Sequence, residues 1–429
     1  MSSIAPGPAA SAVRPTRARF VVVALATVLA MITYLDRVSI GCMQKEIRAD
    51  LGLTEQQMAY VFSAFALAYA AFEVPTAWWA DRVGTRRVLA RIVLWWSSFT
   101  ILTGGAFNFV SLVVTRFLFG AGEAGAWPGV ARTFARWIPQ RERGRVQGIF
   151  FAGAHLAGGL TPLLVSVLLP WLTWRGVFAV FGLIGFVWVA VWRAWYRDEP
   201  AEHPGVNAAE LERILAERRV GGPHPTGWAF WGRLFARRNT LALCVMYFPN
   251  SFAVYFCMTW LATYLSEHHR LDKAELAIFA GLPLMMSILG DLLGGAATDV
   301  ASRRFGLRAG RTFVGGAACA TAGLAMILAA TTDRGMLAGG WIAVAVAASM
   351  FSLAPSWATC IDVAGEHSGV LSALMNTSGQ IGSLISPIVV LHLARGPGGW
   401  NAPLYLMGAL FLIGAAAWCL IDPRKRVFD

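Results

Sequence analysis

The stretch Ala80-Asp81-Arg82-Val83-Gly84-Thr85-Arg86-Arg87 separates an apolar run at 58–80 from another at 88–107. A polar loop this short joins two antiparallel helices, because its charges cannot follow either run into an apolar medium. Similar runs recur at 20–42, 112–134, 146–169 and 177–196. After a polar interval they resume at 241–265, 276–300, 313–331, 336–358, 370–393 and 403–421. Each is near the ~20 apolar residues that a bilayer-crossing helix needs. Of the 429 residues 57% are hydrophobic and only 14% are charged, against about 25% charged in soluble domains. The pattern is an all-α membrane protein of two six-helix halves, 20–196 and 239–421. A tail of residues 1–19 precedes them, a linker of residues 197–238 joins them, and a tail of residues 422–429 follows. The first run is read as a retained helix. A cleaved signal peptide would end in a small-residue cleavage site, whereas Tyr34, Asp36 and Arg37 stand here.

A net charge of +12 would suggest nucleic acid in a soluble chain. Here no zinc-finger or aromatic-basic RNA motif is present, and no nucleic-acid partner is expected. The charge lies between the apolar runs instead. Arg14, Arg17 and Arg19, then Arg82, Arg86, Arg87 and Arg91, then Arg136, Arg141, Arg143 and Arg145 fall on one side. The linker, Arg303, Arg304, Arg308 and Arg311, and Arg424, Lys425 and Arg426 fall there too. The positive-inside rule makes that side, with both termini, cytoplasmic. The cysteines at 42, 244, 257, 319, 360 and 419 are scattered without C-x-x-C spacing, so no metal, cofactor or disulfide is expected.

The halves echo each other. Asp299 followed by Arg303-Arg304-Phe305-Gly306 repeats the loop after the second run. The fifth run carries Gly153, Gly158, Gly159 and Pro162, and the eleventh Gly379, Gly382 and Pro387; aligned on the prolines, His155 falls opposite Gln380. Repeated halves around a central loop are how many secondary transporters are built, with substrate bound between the repeats near the midplane.

The loop at 81–87 resembles the signature between the second and third helices of the major facilitator superfamily. Ala77 replaces the glycine that usually opens it, which implies a looser helix contact there. Tyr34-Leu35-Asp36-Arg37, Arg116 to Glu123 with Gly120 and Pro128, Trp137-Ile138-Pro139-Gln140-Arg141-Glu142-Arg143-Gly144, and Met375-Asn376-Thr377 narrow the match. Together they look like the anion:cation symporter family within that superfamily, which includes bacterial sugar-acid:proton symporters and sialin-like carriers. The resemblance spans nearly the whole chain and implies a twelve-helix major facilitator fold.

Ionisable residues well inside apolar runs are Asp36, Arg37, Glu73, Arg116, Glu123, His155 and Asp291. A charge at a helix centre costs ~2.5–3.5 kcal/mol on insertion scales, so such groups face a cavity or each other. Arg116, Gly120 and Glu123 share one helical face, with Gly120 leaving room for a neighbour or ligand. One reading is a structural ion network tying the first helix to the fourth. The preferred one is functional. A guanidinium docks a carboxylate bidentately, and acids facing a cavity can take up and release protons. The resemblance implies the same division, with Asp36 and Glu123 as proton-coupling sites, Arg37 and Arg116 as substrate anchors, and Tyr34 and Tyr69 as cavity-lining residues. Asn376 is read as a hydroxyl-binding partner from the second half. His155 and Gln380 are further substrate-binding candidates, with a bond from His155 to a nearby carbonyl as the alternative. Glu73 is either a third titratable site or a packing partner, and Asp291 is assigned to the cytoplasmic gate. Gating is assigned to Asp81, Arg82, Gly84, Arg86, Asp299 and Arg303, the charged members forming salt bridges.

The expected function is proton-coupled import of a small organic anion, a sugar acid or related carboxylate, by a monomer in the bacterial inner membrane. The expected partners are that anion, protons and the lipid bilayer. Asp36 and Glu123 take protons from an outside-facing cavity, the anion docks on the arginines, and the halves rock. An organophosphate:phosphate exchanger of the same fold is a rival, though the seventh run lacks a basic residue. A drug-efflux pump suits two buried arginines poorly. A transporter-like nutrient sensor would carry a longer tail than 422–429. No Ser-His-Asp set, H-E-x-x-H or phosphate-cradling glycine loop suggests an enzyme.

Overall fold

The computed structural model describes residues 14–216 and 228–427. The rest of the N-terminal tail, residues 217–227 of the linker and residues 428–429 lie outside the described residues. The first half contains α1 (Ala18–Cys42), α2 (Glu55–Val83), α3 (Thr85–Gly104), α4a (Phe109–Glu123) with α4b (Ala126–Trp137), α5 (Arg143–Leu168) and α6 (Trp174–Trp195). The second contains α7 (Arg238–Thr259), α8 (Lys273–Phe305), α9 (Val314–Ala330), α10a (Gly335–Phe351) with α10b (Leu353–Ala364), α11 (Ser368–Ala394) and α12 (Asn401–Leu420). Among the described residues this makes twelve spanning units, the a and b segments counted together, and no strand. Ten stretches among the described residues are long and apolar enough to cross a membrane, one of them, 335–394, holding both α10 and α11. Helix α3 is not among the ten; Arg86, Arg87 and Arg91 make its first two turns less apolar.

Local chemistry sets the helix ends. Thr54 and Gln57 form a capping box at the start of α2, and Asn108 and Ser111 form one at the start of α4a. Such boxes satisfy backbone donors that the first helical turn leaves free. The run at 112–134 is not one helix. It breaks at Ala124-Gly125, where Gly125 takes φ +88°, a conformation glycine adopts without steric penalty. The α2–α3 turn uses Gly84 at φ +98°, and a Cβ there would lie 2.7 Å from Asp198 Oδ2. Asp198 Oδ1 accepts from the backbone N–H of Thr85 (2.8 Å) and Arg86 (3.0 Å), a carboxylate at the positive end of a helix dipole. Gly84 therefore makes room for an anion that pins the linker to this turn.

Ala77 does not loosen its helix. It is fully buried, and Gly125 lies against α2 so closely that a Cβ there would be 2.7 Å from Thr76 Cγ2. The small residue that close packing needs sits on the partner helix.

The halves meet along two seams, α2 against α11 and α5 against α8. In the second, a Cβ on Gly148 would lie 2.4 Å from the Asp291 carbonyl, and one on Gly295 2.6 Å from the Gly144 carbonyl. Small residues at matched positions let membrane helices approach to backbone contact.

Candidate functional site

Between the halves lies a cavity of about 350 Å³. Tyr34 and Arg37 of α1, Tyr69 of α2, Arg116 of α4a and His155 of α5 line it from the first half. Asn376 and Gln380 of α11 line it from the second. The structure thus brings all seven substrate-binding candidates to one cavity. Asn250 and Tyr255 of α7 and Trp357 of α10b join them, although no sequence motif marked these positions.

The two acids are arranged differently from the arginines. Asp36 and Glu123 are buried behind the wall, at 1% and 0% exposure, rather than lining it. Asp36 turns toward α3, where Thr100 Oγ1 donates to its Oδ2 at 3.4 Å. Glu123 ends α4a, where the helix dipole disfavours a carboxylate, and Arg37 Nε donates to it. Arg37 thereby stands between Glu123 and the cavity, its guanidinium 4.6 Å from the Tyr69 ring. Arg116 lies over the Phe119 ring at 4.1 Å. Its Nε and Nη1 have no hydrogen-bond partner among the described residues. The room at Gly120 is filled by α2: a Cβ would meet the Phe65 carbonyl at 2.5 Å, so no ligand space remains there.

Below the cavity, toward the face that carries the termini, the seams are polar. Glu73 of α2 accepts from Asn376 Nδ2 at 2.6 Å and from Thr377 Oγ1 at 3.0 Å. Asn376 thus lines the cavity with its amide already engaged across the seam. His155 Nδ1 lies 2.6 Å from Asp291 Oδ2. The partner of His155 is a carboxylate, not a backbone carbonyl. Asp291 sits at mid-depth in α8 and not at the terminal gate.

At the terminal face Asp81 Oδ1 pairs with Arg132 at 3.3 Å, and its Oδ2 accepts the N–H of Val370 at 3.0 Å. Asp299 accepts the N–H groups of Gly144 (2.9 Å) and Arg145 (2.7 Å) and pairs with Arg311 at 3.3 Å. Asp362 bridges Arg143 (2.6 Å) and Arg311 (3.0 Å). Among the described residues, the expected salt bridges of Arg82, Arg86 and Arg303 are not formed. Arg82 lies 3.8 Å over the Trp78 ring, Arg86 Nη2 donates to the Arg193 carbonyl at 2.6 Å, and Arg303 is exposed. Arg82 and Arg303 are exposed and Arg86 is half-buried, whereas Arg132, Arg143 and Arg311 are buried. The sequence marks Arg143 and Arg311 as positive-inside charges, Arg143 also within the motif at 137–144, and gives no signal for Arg132 or Asp362.

These ties close the terminal face. The cavity reaches instead toward the opposite face, past Ile40, Phe62 and Met258 near the far ends of α1, α2 and α7.

Residues 26–387 match the Major Facilitator Superfamily. The chain belongs to the major facilitator superfamily. Within it, the chain is 35% identical to a probable sulfoacetate transporter of Cupriavidus necator, over 96% of this chain and 95% of that protein. It is 29% identical to a probable galactarate/D-glucarate transporter of Bacillus subtilis, over 96% and 94% of the two chains. Among solved major facilitator structures, a proton:xylose symporter matches with a TM-score of 0.70 at 12% identity, covering 94% of this chain and 95% of that one. That likeness carries the fold alone. Membership places the protein among membrane transporters, not enzymes.

Proposed function

We propose that the protein imports a small organic anion together with protons by alternating access, the anion being a sugar acid or a related short carboxylate. Arg116 carries this reading. Its guanidinium lines the cavity, its buried Nε and Nη1 have no hydrogen-bond partner among the described residues, and a guanidinium matches the planar, bidentate geometry of a carboxylate. The relatives' names, sulfoacetate and galactarate/D-glucarate, point to the same ligand class.

Proton coupling is supported by the charge balance behind the wall. Asp36 and Glu123 ionised offset Arg37 and Arg116; each proton taken up leaves one guanidinium charge uncompensated and strengthens the hold on an anion. A ligand shifts the two-state equilibrium only through differential affinity, which such protonation supplies. Two protons with a monoanion carry one positive charge inward, favoured by ~2.3 kcal/mol per 100 mV of membrane potential. Two protons with a dianion carry none.

The arginine-rich terminal face supports a cytoplasmic placement of both termini in the inner membrane. One chain holds the whole cavity between its own halves, which supports a monomeric carrier.

The test is reconstitution in liposomes with a panel of sugar acids, short sulfonated and dicarboxylic acids, and phosphate esters. Acid-dependent uptake of one carboxylate class is expected, with inward current for monoanions. Exchange confined to phosphate and its esters would replace this reading with the organophosphate exchanger.

A further inference from the structure

Two buried carboxylates sit directly beneath the cavity, one in each seam between the halves. Glu73 stands eight residues before Asp81, and Asp291 eight residues before Asp299. The two are therefore equivalent positions of the internal repeat. Glu73 reaches from α2 to Asn376 and Thr377 of α11, and Asp291 reaches from α8 to His155 of α5. Both acids are fully buried. Neither seam can part on the terminal side of the cavity without breaking its contact.

The seams differ in chemistry. The α2–α11 contact joins a carboxylate to neutral donors, whereas the α5–α8 contact pairs a carboxylate with an imidazole that can carry charge. The His155 side chain is 14% exposed and belongs to the cavity wall, while Asp291 is closed off below it. Of the titratable and charged groups nearby, Tyr34 of α1 faces the pair, 5.6 Å from His155 ring to ring, with Tyr255 of α7, Arg37 and Glu123 beyond Tyr34. Helix α10a packs on α8 through Met350 and Phe351 against Gly290 and Gly294 and brings no charge.

We propose that the His155–Asp291 pair is a proton-operated latch on the cavity floor, a coupling site additional to Asp36 and Glu123. It rests on the transporter reading above. With Asp291 ionised, its charge-assisted bond with the His155 ring N–H holds α5 on α8 and keeps the terminal side shut. A proton arriving from the cavity and taken by Asp291 removes that attraction, and the floor can part. An anion in the cavity acts in the same direction, because it competes with Asp291 for the His155 ring donor. Proton and anion thus both favour opening toward the face to which they are delivered.

Hydrogen–deuterium exchange of the full-length protein in lipid nanodiscs, without substrate, tests this. In the unaltered protein the amides at 143–148 and 295–303 should exchange about tenfold faster near pH 5 than near pH 8, after correction for intrinsic rates, since exchange reads the opening equilibrium. Asp291→Asn should exchange fast at both pH values with Asp36 and Glu123 intact. His155→Gln, which installs the residue present at the repeat-equivalent position 380, should do the same and serves if Asp291→Asn fails to fold. Retention of both the protection and its pH dependence in these variants would overturn the latch. No substrate enters the measurement, so that failure is separate from failure of the anion assignment, which only uptake assays read.

Discussion

Asp81 Oδ2 accepts the backbone N–H of Val370 at 3.0 Å, so the end of α2 in one half caps the first turn of α11 in the other. Asp299 of α8 does the same for α5 through Gly144 and Arg145. A carboxylate at a helix N-terminus satisfies free backbone donors and meets the positive end of the dipole. These two contacts, related by the internal repeat, hold the terminal face closed.

Asp299→Asn should weaken that closure. It keeps the shape but removes the charge from two backbone bonds and from the Arg311 pair, and bonds to charged groups contribute about 1.5–3 kcal/mol each. Spin-label distances across the terminal face should shift toward the open state. An unchanged distance distribution would show that the cap contributes nothing to closure.

Gly148→Ala should destabilise the protein. The added Cβ would lie 2.4 Å from the Asp291 carbonyl, and overpacking of this kind costs about 1–3 kcal/mol. Gly159→Ala is the control, because nothing lies within 4 Å of its Cβ position. Thermal melting in detergent should separate the two variants; equal midpoints would refute the close seam.

Arg116→Lys should weaken anion binding roughly tenfold while leaving a positive charge in place, because an ammonium cannot form the paired bonds of a guanidinium. Equilibrium binding of the transported anion reads this directly. An unaltered Kd would remove Arg116 from the site.

Glu123→Gln should abolish acid-driven accumulation and spare exchange of labelled substrate. The amide can still accept from Arg37 but no longer titrates. Accumulation that survives the substitution would move proton coupling elsewhere, with Asp36 and the floor pair as the remaining sites.

Much of this protein is legible along the chain. Twelve spans, two halves and the set of buried ionisable residues follow from hydropathy and from the placement of arginines. The reason is local: in lipid each helix satisfies its own backbone, so its existence depends on its own residues. Breaks are less visible: the run at 112–134 reads as one span, and Gly125 at φ +88° divides it.

Partnership was decided by the tertiary structure. Glu73 and Asn376 are 303 residues apart, and His155 and Asp291 are 136 apart; nothing in either local sequence names the other. The rotation and depth of each helix determine that Arg37 and Arg116 line the cavity while Asp36 and Glu123 lie behind them. The same geometry brings Arg132 and Arg311, rather than Arg82 and Arg303, to the loop aspartates. Sequence alone determined which residues had to escape lipid. Only the packing of twelve helices determined what each of them met, because a buried charge is paired by whatever distant side chain the fold carries within reach.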